Sequence, residues 1–155
     1  MAMSPTLQKF LTDNAIAYEI LPHTKTATSL NSASAAHIPG NKMAKSVILE
    51  DEDGYLMAVI PANEHVKIRE LNQTLNRNMG LATELELHHL FMDCDVGAIP
   101  PVGLAYGVET VVDDSLMVCN DVYFEAGDHE ELIHVKGASF RKLMQESLHA
   151  NLCAH

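Results

Sequence analysis

The sequence predicts an α+β fold, a curved, mixed and mostly antiparallel sheet with helices packed against it. Three observations carry this. Strand-sized apolar runs are interspersed with stripes of helical period. Several of the strands are joined by tight turns, which favours antiparallel neighbours over the long crossovers of a doubly wound parallel sheet. Apolar residues make up 47% of the 155 positions, enough for one sizeable core without disulfides or a structural metal. No linker, repeat or low-complexity tract divides the chain, so 1–155 reads as one domain.

The elements follow in order. Ser4-Pro5 opens a helix, with a capping hydroxyl followed by proline at the first helical position, and Leu7, Phe10 and Leu11 form its apolar stripe. Ile16–Leu21 reads as a strand ended by Pro22, and Ser29–His37 as a short alanine-rich helix stopped by Pro39-Gly40. Lys45–Glu50 and Tyr55–Ile60 form a hairpin about the Asp53-Gly54 turn. Lys67–Asn76 is helical, with Ile68, Leu71 and Leu75 on one face. Thr83 and Glu86 make a capping box for a helix reaching Phe91. A loop, Asp93–Leu104, precedes four predicted strands at Val108–Val112, Ser115–Cys119, Val122–Ala126 and Leu132–Val135. Ser139 is expected to cap a final helix ending near Leu148.

Composition narrows the function classes. No apolar run approaches the roughly 20 residues of a membrane span, and Met1–Phe10 lacks the apolar stretch of a signal peptide. The expectation is a soluble cytoplasmic protein with no membrane partner. Cys94, Cys119 and Cys153 are odd in number and widely spaced, which argues against a disulfide framework or a zinc knuckle. The net charge of −11 argues against wrapping DNA or any long duplex. No Lys or Arg lies between Arg77 and Lys136, a stretch with twelve carboxylates. Lys25, Lys42, Lys45, Lys67, Arg69 and Arg77 precede it, and Lys136, Arg141 and Lys142 follow. A nucleic acid would therefore be held over a small footprint such as a strand end.

Most catalytic patterns are absent. There is no GxSxG elbow and no phosphate-binding GxxxxGK[ST]. His129 and His134 are five apart, so neither a helix nor a strand presents them to one metal. Two features remain. Lys45, at the mouth of the apolar strand Val47–Leu49, would place one ammonium at a pocket edge, within reach of a carbonyl or developing oxyanion. The loop Gly97-Ala98-Ile99-Pro100-Pro101-Val102-Gly103 combines close backbone approach with proline stiffness, and its amides could hold a carbonyl oxygen. Taken singly, each also has an ordinary explanation as a surface lysine or a rigid connector.

Lys45-Ser46-Val47-Ile48-Leu49, Gly97-x-x-x-Pro101-x-Gly103 and Ala126-Gly127-Asp128-His129-Glu130-Glu131-Leu132-Ile133, in this order, resemble the YbaK/ProX family. That family includes the editing domain inserted in bacterial prolyl-tRNA synthetases. The resemblance spans about 18–143. It implies the YbaK/prolyl-tRNA synthetase-associated fold and hydrolysis, without metal or cofactor, of the ester joining a mischarged amino acid to the terminal adenosine of tRNA. It assigns the key lysine to Lys45 and the ester-orienting loop to Gly97, Ala98, Ile99, Pro100 and Pro101. It also implies a pocket-lining role for His129. Pro100 departs from the pattern by removing one amide. The implied substrate is a small residue such as alanine on tRNA-Pro, removed in trans, with a synthetase or elongation factor completing the grip on the acceptor end. Three other readings remain: a module that binds an aminoacyl or nucleotide end without hydrolysis, a metal hydrolase using Asp128, His129 and His134, and an esterase with Cys94 as nucleophile.

Overall fold

The computed structural model describes residues 3–23 and 28–153. Lys25, one of the cationic residues noted above, lies outside them. Six helices, α1 (Pro5–Asp13), α2 (Ser29–Ala35), α3 (Ile68–Leu75), α4 (Glu84–Leu90), α5 (Asp114–Met117) and α6 (Gly137–Leu143), accompany eight strands. The strands are β1 (Glu19–Pro22), β2 (Met43–Asp51), β3 (Gly54–Pro61), β4 (Gly80–Leu81), β5 (Glu109–Asp113), β6 (Asp121–Glu125), β7 (Glu131–Lys136) and β8 (Leu148–Ala150). They form one open sheet in the order β1-β7-β6-β2-β3-β5-β8, with β4 also pairing β2. The β1–β7, β2–β3, β2–β4 and β6–β7 pairs are antiparallel; β2–β6, β3–β5 and β5–β8 are parallel. This is the mixed, mostly antiparallel α+β sheet that the sequence predicts.

β3 lies inside the sheet between β2 and β5, and its uninterrupted apolar run follows from burial on both faces. Met57 and Val59 join the larger core with Leu7, Leu11, Phe91, Phe124 and Phe140. Leu56, Ala58 and Ile60 point to the other face, with Leu49, Leu71, Val111, Leu152 and Cys153. β2 alternates in the same way. Ala44 and Ile48 face the first core, whereas Leu49 and the partly buried Val47 face the second. Lys45 shares that second face by parity.

Three segments differ from the sequence expectation. Ile16 belongs to the closure of α1 rather than to a strand. Ala15 turns left-handed at φ 55° and the Ile16 amide returns to Leu11 O, so β1 begins only at Glu19. Ser115–Cys119 is not a strand. The Asp113 carboxylate accepts from the Ser115 amide and hydroxyl and caps the short α5 instead. The last helix starts at Gly137 and ends at Leu143, so Ser139 is inside it and Leu148 lies in β8, paired in parallel with Val111. The helix opens on glycine because a Cβ at Gly137 would stand 2.2 Å from Cys119 O. Downstream, the Leu152 amide donates to the buried Asp113 carboxylate and Leu152 O accepts from Lys67, which draws the tail along the sheet edge.

Candidate active site

The site begins as a gap in the sheet. On one edge of β2, β6 pairs only with Met43 and Ala44, and β4 only with Leu49 and Glu50. Lys45 to Ile48 are paired by neither. Ile48 O accepts from the Ala82 amide on this edge, so the backbone of Ser46, two residues away, points the same way, into the gap.

The loop after α4 fills part of this gap and leaves a cleft on each side of itself. One cleft, about 370 Å³, is lined by Thr28, Ser29 and Leu30 at the start of α2, by Lys45 and Ser46, by Ala62, Asn63 and His65 after β3, and by Gly97. The other, about 310 Å³, is more apolar; Val47, Ile48, Leu81, Leu87, Val96 and Ile99 contribute to it, and Ser46 and Gly97 are common to both. Lys45 and the glycine of the loop thus face the same space.

Lys45 is half-buried, and its Nζ donates to Ala62 O at 3.2 Å. Burial lowers its pKa, against the opposing influence of Cys153 and Glu64 behind it. A desolvated ammonium interacts more strongly with an incoming oxygen than one in bulk water.

The loop is held by three tethers and one internal bond. The Ser46 hydroxyl donates to Ile99 O at 2.9 Å. The Asp95 amide donates to Gly127 O at 2.7 Å, and the Ala98 amide returns to Asp95 O at 3.0 Å. The His129 Nε2 stands 3.3 Å from Val96 O. Gly97 adopts φ 93°, a conformation that a side chain would strain. Ala98, Ile99, Pro100 and Pro101 are buried. Pro100 costs the loop one amide, yet those of Gly97 and Ile99 remain, and among the described residues neither donates a hydrogen bond. Of the predicted loop residues, Gly97 and Ile99 line the clefts; Ala98, Pro100 and Pro101 shape the bend behind them.

His129 stands apart from both clefts. It is 5% exposed, at φ 62°, with its ring behind the loop and its Nδ1 3.4 Å from Glu125 Oε2. His134 lies across β7, stacked on Tyr123 and bridging Glu19 and Asp121. Among the described residues no three His, Cys, Asp or Glu side chains are grouped to hold a metal ion. Cys94 is no activated nucleophile. Burial pushes its thiol up to about 12, although a hydrogen bond with Tyr106 opposes this. It belongs to a knot with Asp93, Tyr106 and Ser4 that ties the start of α1 to the loop. Burial would also raise Asp93, but bonds from Ser4, Thr6 and Tyr106 outweigh it and hold this carboxyl well below its usual range.

The cations divide as well. Arg77 is engaged by Asp51 through two bonds of 2.6 and 2.7 Å, and Lys67 faces Glu70 at 3.6 Å. Among the described residues Lys42, Arg69, Arg141 and Lys142 have no ion-pair partner, the last two donating instead to Met117 O and Asn14 O.

Sequence reasoning missed Thr28, Ser29, Asn63, His65 and the tethering role of Ser46. Only the polar run after Pro61 hinted at a cleft wall, and nothing local marks α2 as one.

No curated protein matches the chain. A family model described as an aminoacyl-tRNA editing domain matches residues 23–143, which contain Lys45, the loop and His129. A structure of a proposed trans-editing enzyme for prolyl tRNA synthetase superposes with a TM-score of 0.85 at 18% identity, covering 99% of this chain and 100% of the other. The hypothetical protein APE2540 gives 0.84 at 20% identity, covering 96% and 99%. A proposed signal transduction protein from Marinobacter aquaeolei VT8 gives 0.79 at 20% identity, covering 97% of this chain and 30% of the other. At such identities these likenesses establish the fold.

Proposed function

The chain belongs to the aminoacyl-tRNA editing domain family, and from that premise we propose that it is a deacylase acting in trans on mischarged tRNA. The observation that carries this reading is the convergence of the half-buried Lys45 ammonium and the Gly97 bend on one cleft of about 370 Å³.

An aminoacyl ester is already activated, so positioning and charge stabilisation suffice for its hydrolysis. Water adds to the ester carbonyl, the carbonyl carbon–ribose oxygen bond breaks, and the products are the free amino acid and the ribose hydroxyl of the terminal adenosine. Lys45 stabilises the negative charge that develops on the carbonyl oxygen, or anchors the terminal adenosine. The amides of Gly97 and Ile99, which donate to none of the described residues, orient the ester. The attacking water gives its proton to the departing ribose oxygen, directly or relayed through the adjacent ribose hydroxyl, which explains the lack of a triad. A cleft near the lower end of the size range of small-molecule sites suits a short side chain such as alanine, on tRNA-Pro, better than a large one. Lys42 and Arg69 supply only a small phosphate footprint, so a synthetase or elongation factor completes the grip on the acceptor end, in the cytoplasm.

The test is turnover. Catalytic amounts of the protein should release free alanine from excess alanyl-tRNA-Pro, and leave prolyl-tRNA-Pro largely intact. Saturable binding without release of amino acid would instead establish a binding module and overturn the proposal.

A further inference from the structure

Glu125, at the end of β6, is 1% exposed, and neither of its carboxyl oxygens completes a well-aligned hydrogen bond. Such a group is costly to bury, and its position explains what it does there. His129 Nδ1 stands 3.4 Å from Oε2 and has no better-aligned partner. The far side of the same ring reaches Val96 O at 3.3 Å, in the loop that divides the clefts. Ser32, on the helix whose first turn lines the Lys45 cleft, also acts on Glu125. One buried carboxyl thus stands behind both walls of the cleft.

Hydrogen-bond accounting makes this a device with one movable proton. Val96 O can only accept, so the His129 Nε2 must carry a hydrogen to bond it. With Nε2 the donor to Val96 O, Nδ1 can only accept, so the Glu125 carboxyl must carry a proton to bond it. If that proton leaves, two acceptors face each other, either at Nδ1 and Glu125 or at Nε2 and Val96 O.

We propose that Glu125 and His129 share a single proton that fastens the 94–99 loop against the cleft, making them positioning residues whose deprotonation loosens the loop. The groups facing Glu125 are the His129 ring and amide and Asp128 in the following turn, and Ser32 from α2; among the described residues no lysine or arginine acts on it. Asp128 spends one oxygen on the Glu130 and Glu131 amides, and its charge disfavours a second carboxylate beside it. Burial and Asp128 together push the Glu125 carboxyl up to about 7, against Ser32 and the His129 amide, so the proton leaves within the physiological range.

The experiment is hydrogen exchange of the Ala98 amide, which is bonded to Asp95 O within the loop, followed from pH 5.5 to 8.5 in the full chain. In the wild type, the protection factor, corrected for intrinsic exchange, should fall as pH rises through about 7. In Glu125→Gln the side-chain amide donates to Nδ1 at every pH, so protection should stay flat. His129→Asn, which tolerates the left-handed backbone but cannot span both partners, should show low protection throughout. The same pH profile in wild type and Glu125→Gln would overturn the proposal. A second readout rests on the deacylase reading: kcat/KM should fall above pH 7, approaching tenfold per pH unit, and Glu125→Gln should remove the fall. A protein with no deacylase activity would refute that reading and leave the exchange result to decide this one.

Discussion

Replacing Glu125 with glutamine should make the protein more stable, and increasingly so as the solution becomes alkaline. The carboxyl is pushed from its ordinary 4.5 up to about 7, chiefly because burial at 1% exposure disfavours its charged form. The folded state therefore holds this proton more tightly than the unfolded chain does. Stability is lost as pH rises from the unfolded value towards the folded one, and the penalty is complete above both. At about 1.4 kcal/mol per tenfold change in proton affinity, the full penalty is about 3 kcal/mol. Part of it is already incurred at pH 5, which leaves about 2–3 kcal/mol to develop between pH 5 and pH 8. Glutamine keeps the shape and cannot ionise, and all other titrating groups are common to both proteins. Urea unfolding of each at pH 5, 6, 7 and 8, extrapolated to water, gives the difference directly. The Gln variant should gain about 2–3 kcal/mol relative to wild type across that range. Parallel curves, with a difference that does not change with pH, would refute the claim that this carboxyl is held protonated by its surroundings.

Other outcomes follow from the same geometry. Ser46→Ala removes the bond to Ile99 O and should cost about 1 kcal/mol of stability, with a higher KM for mischarged tRNA if the loop is part of the site. Gly137→Ala places a methyl group 2.2 Å from Cys119 O and should destabilise by about 2 kcal/mol or more, read as a lower urea midpoint. Thiol reagents at pH 8 should modify Cys119 before Cys94, because burial holds the Cys94 thiol near 12, and deacylation should survive; loss of activity in step with Cys94 labelling would revive a thiol mechanism. The Arg77 guanidinium holds Asp51 well below the usual carboxylate range, so the stability this pair confers is present above about pH 4 and lost on further acidification; Asp51→Asn should flatten that acid limb of the unfolding curve.

The sequence made the fold legible wherever a local device determines the structure. Ser4 with Pro5 and the Thr83–Glu86 capping box each decide their element within four residues and stand where expected, and the predicted hairpin forms with its turn one residue earlier, at Glu52-Asp53, so that Gly54 opens β3. It failed where a remote partner decides. Ser115–Cys119 has a strand-like run, but the buried Asp113 just ahead of it acts as a helix cap. The stretch after Leu143 continues a helical pattern, yet pairing with Val111 and the Asp113–Leu152 bond draws it into the sheet. The site divides along the same line. Lys45 and Gly97 are visible as residue types with unusual prospects, whereas the gap beside β2 exists only once β4 and β6 have both paired with it. His129 shows why a motif does not fix a role: its neighbours in sequence mark it out, but its ring is turned inward to Glu125 and the loop rather than into either cleft. Glu125 itself carries no local signal, since nothing in β6 distinguishes a buried carboxyl from an exposed one.

The most direct test of the account is single-turnover hydrolysis of alanyl-tRNA-Pro by Lys45→Ala beside the wild type, with circular dichroism and urea unfolding run on both. Among the described residues Lys45 bonds only a carbonyl, and it sits at the mouth of the cleft, so the variant should keep its fold and stability while its rate falls at least about a hundredfold. A variant that still hydrolyses at the wild-type rate would contradict the claim that this ammonium does the chemistry.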